Sequence, residues 1–132
     1  MGHYRYNKKA GWSNTAEIAH NFKGVDFYKG SVKDNQISAD VAISIKSTTL
    51  TDVDNWLNSK PIKDNIAFLR QGLSSSGLTS NNFVMRIMKA EIHIIMQNVN
   101  ETLKISWLNK LNMSYPNIQF NISKVEDLIK NK

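Results

Sequence analysis

The sequence predicts a single domain of the α/β class, a mixed sheet flanked by helices. Its 132 residues match the usual size of one domain, and no internal repeat or low-complexity linker divides the chain, so 1–132 is treated as one unit. Alternating apolar and polar residues between 24 and 47 predict a β-hairpin. From residue 51 the apolar spacing changes to the three-to-four period of helices, and one more strand follows near the end.

The N-terminal part predicts an arm and a short helix. Residues 1–11 are polar, basic and aromatic, and Trp12 beside this arm is a candidate for stacking on a nucleic-acid strand. Segment 13–22 starts with polar cap residues and places Ile18 and Phe22 four residues apart, which predicts a helix.

The hairpin is predicted from two runs joined by the polar turn "SVKDNQ". The first, "GVDFYKG" (24–30), alternates between two glycines, and the second, "ISADVAISIKS" (37–47), is longer and more apolar. In the second strand Val41, Ile43 and Ile45 share one face. Segment 13–47 therefore combines a helix with a hairpin.

The middle of the chain predicts two helical pieces and then a loop. "TDVDNWLNS" (51–59) begins with a threonine cap and acidic residues, Pro61 interrupts it, and a helical apolar stripe resumes over 62–73. The composition of 74–82 predicts a loop.

The segment "FVMRIMKAEIHIIMQNVN" (83–100) allows two predictions. Val84, Met88 and Ile92 fit a helical stripe, and the Met, Lys, Ala and Glu in its middle favour a helix. Its isoleucines also suit strands, and a hairpin over 83–96 would offer an edge to which a partner strand can add.

The C-terminal part predicts a helix, a strand and a last helix. Leu103 and Trp107 lie four apart in the helical segment 101–111, and 118–123 alternates as a strand. Ser123 and Glu126 have the spacing of a capping box that would start the terminal helix.

Composition narrows the possible partners. The chain has 17 Lys+Arg against 11 Asp+Glu, and the resulting charge of +6 favours contact with a polyanion, although ordinary soluble proteins share it. The absence of cysteine excludes disulfides and thiolate metal sites, so a metal would need oxygen or histidine ligands. No apolar run approaches the roughly 20 residues of a membrane span, and the first residues lack the apolar stretch of a signal peptide.

Four polar residues on the first elements form a candidate site. Ser44 and Lys46 point to the same face of their strand, about 6.6 Å apart. Asp26 alternates onto the polar face of the neighbouring strand, and Glu17 belongs to the predicted helix before it. An acid from a helix, an aspartate from one strand and a lysine from the next can together bind a divalent cation and orient a nucleophile.

This layout resembles the PD-(D/E)xK nucleases over about the first 70 residues, in the helical acid, "GVDFY" and "SIK". The resemblance implies a restriction-endonuclease-like core and metal-dependent hydrolysis of phosphodiester bonds. The chain departs from the family pattern in having Ser44 where a second acid usually stands, and in the short nine-residue spacing between Glu17 and Asp26.

The serine variant is similar to the C-terminal nuclease toxin domains of contact-dependent growth inhibition (CDI) proteins, one group of which are metal-dependent DNases. The resemblance implies an interbacterial toxin carried by a large secreted or cell-surface protein and acting in the cytoplasm of a target cell. It also implies a cognate immunity protein that blocks the toxin. DNA is the favoured substrate, and tRNA is the nearest alternative.

The resemblance also implies a role for each residue. Asp26 would be the main metal ligand, Glu17 a second ligand, and Lys46 the cation that orients the attacking water. Ser44 would contact metal-bound water, and the Ile45 carbonyl is a further candidate ligand. Because only two carboxylates are present, Zn²⁺ rivals Mg²⁺ as the cofactor.

Each candidate also has a purely structural interpretation. His20 lies three residues after Glu17 and is a further metal-ligand candidate, but histidines such as His20 and His93 are more often structural. Glu17 suits a helix cap, Asp26 a strand end and Lys46 a solvent-facing charge. With these interpretations the chain is a non-catalytic, basic nucleic-acid-binding module.

Overall fold

The computed structural model describes residues 8–17, 22–97 and 99–125. It confirms the α/β class, with an open, mixed seven-stranded sheet and three helices. Two short 3₁₀ turns, Lys8–Ala10 and Thr15–Glu17, flank the first strand. The strands are β1 Ser13–Asn14, β2 Phe27–Lys33, β3 Gln36–Thr48, β4 Leu78–Ser80, β5 Phe83–Ile87, β6 Ala90–Met96 and β7 Ile118–Lys124, and the helices are α1 Val53–Asn58, α2 Lys60–Leu73 and α3 Glu101–Ser114.

β3 is the strand around which the sheet is arranged. On one side it pairs with antiparallel β2, which confirms the predicted hairpin, and β1 pairs with the outer edge of β2. On its other side β5 and then β6 run parallel to it. β4 pairs antiparallel with β5, and β7 pairs parallel with β6.

The prediction of a helix over 83–100 is wrong, because this segment forms β5 and β6. Six of the seven β6 residues are buried, as is usual for a strand inside a parallel sheet, and such a run has no polar period to distinguish it from a helix. It is not a hairpin either, since both strands pair with β3 in one register and are separated by a bend at Met88 and Lys89. β6 lies between β3 and β7, so the proposed edge for strand addition is absent there.

A β-bulge interrupts the pairing of β2 with β3. Lys29 pairs with Val41 whereas Gly30 pairs with Ala39, which leaves Asp40 as an extra residue in β3. Because strand side chains alternate, the extra residue reverses which positions of β3 point toward the helices.

As a result, odd-numbered positions of β3 face the helices before the bulge, and even-numbered positions face them after it. Ile37 and Ala39 pack in the main core before the bulge, and Ala42 does so after it. Ile43 instead joins a small cluster with Phe27 on the opposite face. Val41, Ile43 and Ile45 therefore point away from the main core. Ser44 and Lys46 point toward the face that the helices cover.

The predicted helices α1, α2 and α3 are confirmed, with small differences at their ends. Asp52, rather than Thr51, caps α1 by accepting hydrogen bonds from Asp54 N and Asn55 N at 2.9 and 3.4 Å. α2 carries Pro61 in its first turn, where the missing N–H costs nothing. α1 and α2 connect β3 to β4, and α3 connects β6 to the parallel strand β7.

The predicted helix over 13–22 is wrong for 13–17, and 18–21 lie outside the described residues. Asn14 pairs with Phe27 of β2, and its side chain accepts a hydrogen bond from Ala16 N at 2.8 Å. The residues expected to cap a helix instead form a strand and a side-chain turn.

The structure differs from the prediction for 74–82 and does not test the prediction of a terminal helix. The loop predicted over 74–82 contains β4, and Asn81 and Asn82 have the positive φ angles of 52° and 69° that tight hairpin turns need. Ser123 belongs to β7, and the terminal helix expected over 125–132 lies outside the described residues except for Val125. Over the described ranges, no helix is long and apolar enough to cross a membrane.

Replacement of Gly30 by alanine should destabilise the fold, because the backbones of β2 and β3 approach each other closely at the bulge. A Cβ added there would lie 2.9 Å from Ala39 Cα and would also overlap the Ser38 carbonyl oxygen. We expect the free energy of unfolding to fall by about 2 kcal/mol or more, measured by urea denaturation. Ser31→Ala, at the exposed next position, is the control. An equal, small effect of both changes would contradict the close approach.

Candidate active site at the end of β3

The segment before β2 holds Asp26 against the carboxyl end of β3. Asp26 N donates to Ile43 O at 2.9 Å, and the Asp26 Oδ2 atom accepts from Ile45 N at 2.8 Å. One residue beyond the Phe27–Ile43 pair, the register places Asp26 opposite Ser44. The carboxylate is exposed to solvent although one of its oxygens is fixed.

The Ile45 carbonyl lies on the same side as this carboxylate. In a strand, the N–H and C=O of one residue point toward the same neighbour. Ile45 N–H points at Asp26, and β2 pairing ends at the Phe27–Ile43 pair. The Ile45 carbonyl and the remaining Asp26 oxygen are therefore two oxygen donors at one edge.

Ser44 is buried beneath this edge rather than exposed at it. Its side chain has 0% exposure, and its hydroxyl donates to the Gly24 carbonyl and accepts from Asn65 Nδ2 at 2.9 Å. Asn65 Nδ2 also approaches Gly24 O at 3.4 Å. The hydroxyl thus links the loop before Asp26 to α2, and contact with metal-bound water would require this network to open.

Asn65 was not among the candidates from the sequence. It lies on the apolar stripe of α2, beside Ile62, Ile66 and Leu69, and is itself buried. A polar side chain on a buried helix face needs a partner, so its position in the stripe was a usable signal.

Lys46 lies two residues beyond Ser44 on the same face and is half-buried. Within the part of the chain that the structure describes, its ammonium forms no ion pair or hydrogen bond with a side chain. A cation on an ordered strand without a neutralising partner can interact with an incoming anion.

Trp12 has a different environment from the one expected of a stacking platform. Its ring packs against Phe27 and Ile43, and Lys29 Nζ lies 4.7 Å from the ring centroid. These contacts occupy the indole and hold the start of the described chain to the sheet.

Glu17 ends a 3₁₀ turn that begins close to Asp26. Thr15 N donates to Asp26 O at 3.0 Å, and Thr15 Oγ1 donates to Val25 O at 2.6 Å. The side chain of Glu17 and the whole of His20 lie outside the described residues.

The donor set fits a hard cation better than a soft one. Asp26 and the Ile45 carbonyl both offer oxygen, and Mg²⁺ is often held by one or two carboxylates together with waters and substrate phosphate. Catalytic Zn²⁺ sites usually use three protein ligands. Over 8–17, 22–97 and 99–125, no group of three His, Asp or Glu residues is arranged to hold a metal ion.

Ser44→Ala should reduce stability because it removes a buried hydrogen-bonding group from Gly24 and Asn65. We expect a loss of about 2 kcal/mol in the free energy of unfolding, measured by urea denaturation. Ser47→Ala, at an exposed serine of the same strand, should change it by less than about 0.5 kcal/mol. Similar values for the two variants would show that the buried network contributes little.

No family model, curated protein or solved structure matches this chain. The site geometry and the motif resemblance therefore carry the functional proposal.

Proposed function

We propose that the protein is a metal-dependent nuclease that hydrolyses phosphodiester bonds, with DNA as the favoured substrate. The observation that carries the proposal is the Asp26 carboxylate, fixed by Ile45 N–H beside the Ile45 carbonyl. Lys46 follows directly in the chain, so two oxygen donors and a cation belong to one short stretch of sheet.

Each group of the chain has a definite task in this proposal. A bound divalent cation would polarise the phosphate and lower the pKa of a coordinated water. Asp26 would hold the cation, and the hydrogen bond that its Oδ2 atom accepts from Ile45 N fixes the orientation of the carboxylate in advance. Lys46 stabilises the negative charge that grows on the phosphate oxygens.

Charge supports a nucleic acid as the substrate. The net charge of +6 increases the rate of encounter with a polyanion, and phosphate contacts contribute most of the affinity for nucleic acid. The motif resemblance supports DNA over tRNA. It further supports action as a toxin in CDI-type bacterial competition, delivered by a larger surface protein and blocked by an immunity protein.

Incubation with plasmid DNA and with total tRNA tests this function. We expect Mg²⁺-dependent nicking of the plasmid that EDTA abolishes, with Zn²⁺ as a second metal arm. Cleavage of tRNA alone would assign the alternative substrate. Absence of cleavage with any metal, together with salt-sensitive binding in a gel-shift assay, would identify a non-catalytic binding module instead.

Asp26→Asn should remove activity while the protein stays folded. The amide oxygen can still accept the hydrogen bond from Ile45 N, but the charge that binds the cation is lost. We expect the cleavage rate to fall by roughly 100-fold or more. Asp34→Asn is the matched control, because Asp34 is an exposed aspartate in the β2–β3 turn. Equal activity of the two variants would contradict the role of Asp26.

Lys46→Met should lower the cleavage rate by roughly 100-fold, because it removes the ammonium and retains an unbranched side chain. Lys33→Met, at the exposed tip of the hairpin, changes the net charge equally. If both variants lose the same activity, general attraction of the polyanion explains the effect and Lys46 has no special role.

A further inference from the structure

A cleft of about 310 Å³ opens between the start of α3 and the end of β7. Its volume is at the lower end of the range of small-ligand sites in proteins. The described lining comes from the segment that enters α3, the first turn of α3 and the second half of β7. These residues are Val99, Asn100, Glu101, Lys104, Ile122 and Lys124. None of these six residues belongs to the candidate active site.

The register of the sheet places this cleft on the same face as Lys46. Ile94 of β6 pairs with Lys46 on one side and with Ile122 on the other, and Ile94 and Ile122 both pack in the main core under the helices. Lys124 follows Ile122 by two residues and therefore points to the same face. Because neighbouring strands are about 4.8 Å apart, Lys46 Cα and Ile122 Cα are separated by roughly 10 Å.

Buried contacts fix the position of α3 relative to β3. Trp107 Nε1 donates to Thr51 O at 2.9 Å, and the Trp107 ring lies 5.6 Å from that of Trp56. Trp107 is itself buried. Lys104 lies three residues earlier in the same helix, on the adjacent turn. The first turns of α3 are therefore held at a defined distance from the end of β3.

Two lysines give the cleft its chemical character. Lys104 and Lys124 are both half-buried. Within the described ranges, neither ammonium group forms an ion pair or a hydrogen bond. Glu101 is exposed, and in the described structure it forms no ion pair with Lys104, although the two lie three residues apart on α3. Two cations from different elements in one cleft attract an anion.

Asn100 adds a neutral donor to the two cations. Its Oδ1 atom accepts a hydrogen bond from Leu103 N at 2.8 Å, which fixes the carboxamide. The Nδ2 atom of the same carboxamide can then donate to a ligand. A phosphate group has several acceptor oxygens, and lysine ammonium groups and side-chain amides are among its usual partners in nucleic-acid complexes.

We infer that this cleft binds a phosphate of the nucleic-acid backbone, as a second contact beside the one at Lys46. The inference rests on the proposed function, because that function supplies nucleic acid as the ligand. Each strand of B-DNA carries one phosphate per about 3.4 Å of helix axis, so the roughly 10 Å between the two positions separates phosphates a few nucleotides apart. The cleft adds affinity and orientation, and it does not read sequence.

Fluorescence anisotropy of a labelled DNA oligonucleotide tests this contact. The full chain carries Asp26→Asn and the buffer contains EDTA, so that no cleavage occurs. Lys104→Met and Lys124→Met should each weaken binding by roughly fivefold near 0.1 M salt and lower the slope of log affinity against log salt by about one. Lys33→Met is the control, because it changes the net charge equally at the other end of β3. Equal binding by the three variants would overturn the inference.

Conservative variants separate charge from packing. Lys104→Arg keeps the positive charge and should keep most of the binding, whereas loss equal to that of Lys104→Met would contradict an electrostatic contact. Glu101→Gln removes the negative charge of the described lining and should tighten binding by roughly twofold. Asp34→Asn, in the exposed β2–β3 turn, should change binding less. Weaker binding by Glu101→Gln would contradict a site for an anion.

An oligonucleotide with neutral methylphosphonate linkages identifies the group that is bound. We expect it to bind the parent chain and the Lys104→Met/Lys124→Met double variant equally. Weaker binding of this neutral chain by the double variant would assign the cleft to bases or sugars and overturn the inference. Sensitivity of DNA binding to both lysines without cleavage under any metal would contradict the proposed nuclease function alone. Cleavage together with unchanged DNA binding by the double variant would contradict the cleft assignment alone.

Discussion

The extra residue of β3 at Asp40 is the constraint on which the rest of the site depends. It lies opposite Gly30, where the backbones of β2 and β3 approach so closely that a side chain does not fit. Because of it, Ala39 and Ser44 face the same layer of helices. A regular strand would put positions 39 and 44 on opposite faces, and Ser44 could not then reach Asn65 on α2.

The buried hydrogen bond between Asn65 and Ser44 explains how the exposed carboxylate of Asp26 is held in a fixed position. Both side chains bind the Gly24 carbonyl, two residues before Asp26, so the entering loop is joined to the sheet and to a helix. A carboxylate at position 44 would be buried among these groups without a cation and would face a large desolvation cost. The serine therefore suits the proposed metal site, in which the donors would be at the rim, Asp26 and the Ile45 carbonyl.

Local patterns predicted much of the fold, because the hairpin, α1, α2, α3 and β7 carry clear periodicity or caps. β6 was missed because burial on both faces removes the polar half of the strand pattern. The bulge could not be predicted, since the close approach at Gly30 involves residues of both strands. For the candidate site, alternation was sufficient to place Ser44 and Lys46 on one face. It did not distinguish a solvent-facing serine from one covered by Asn65, because that depends on packing between distant segments.

The mixed direction of the strands gives the end of β3 two chemically different sides. The antiparallel neighbour β2 brings the acid, Asp26, to one side, and the parallel neighbour β6 occupies the other. Lys46 pairs with the buried Ile94 and points toward the same helix-covered face as Ser44. A purely parallel sheet would have no β2 entry to supply the acid, so the antiparallel strand is what brings a carboxylate to the end of β3.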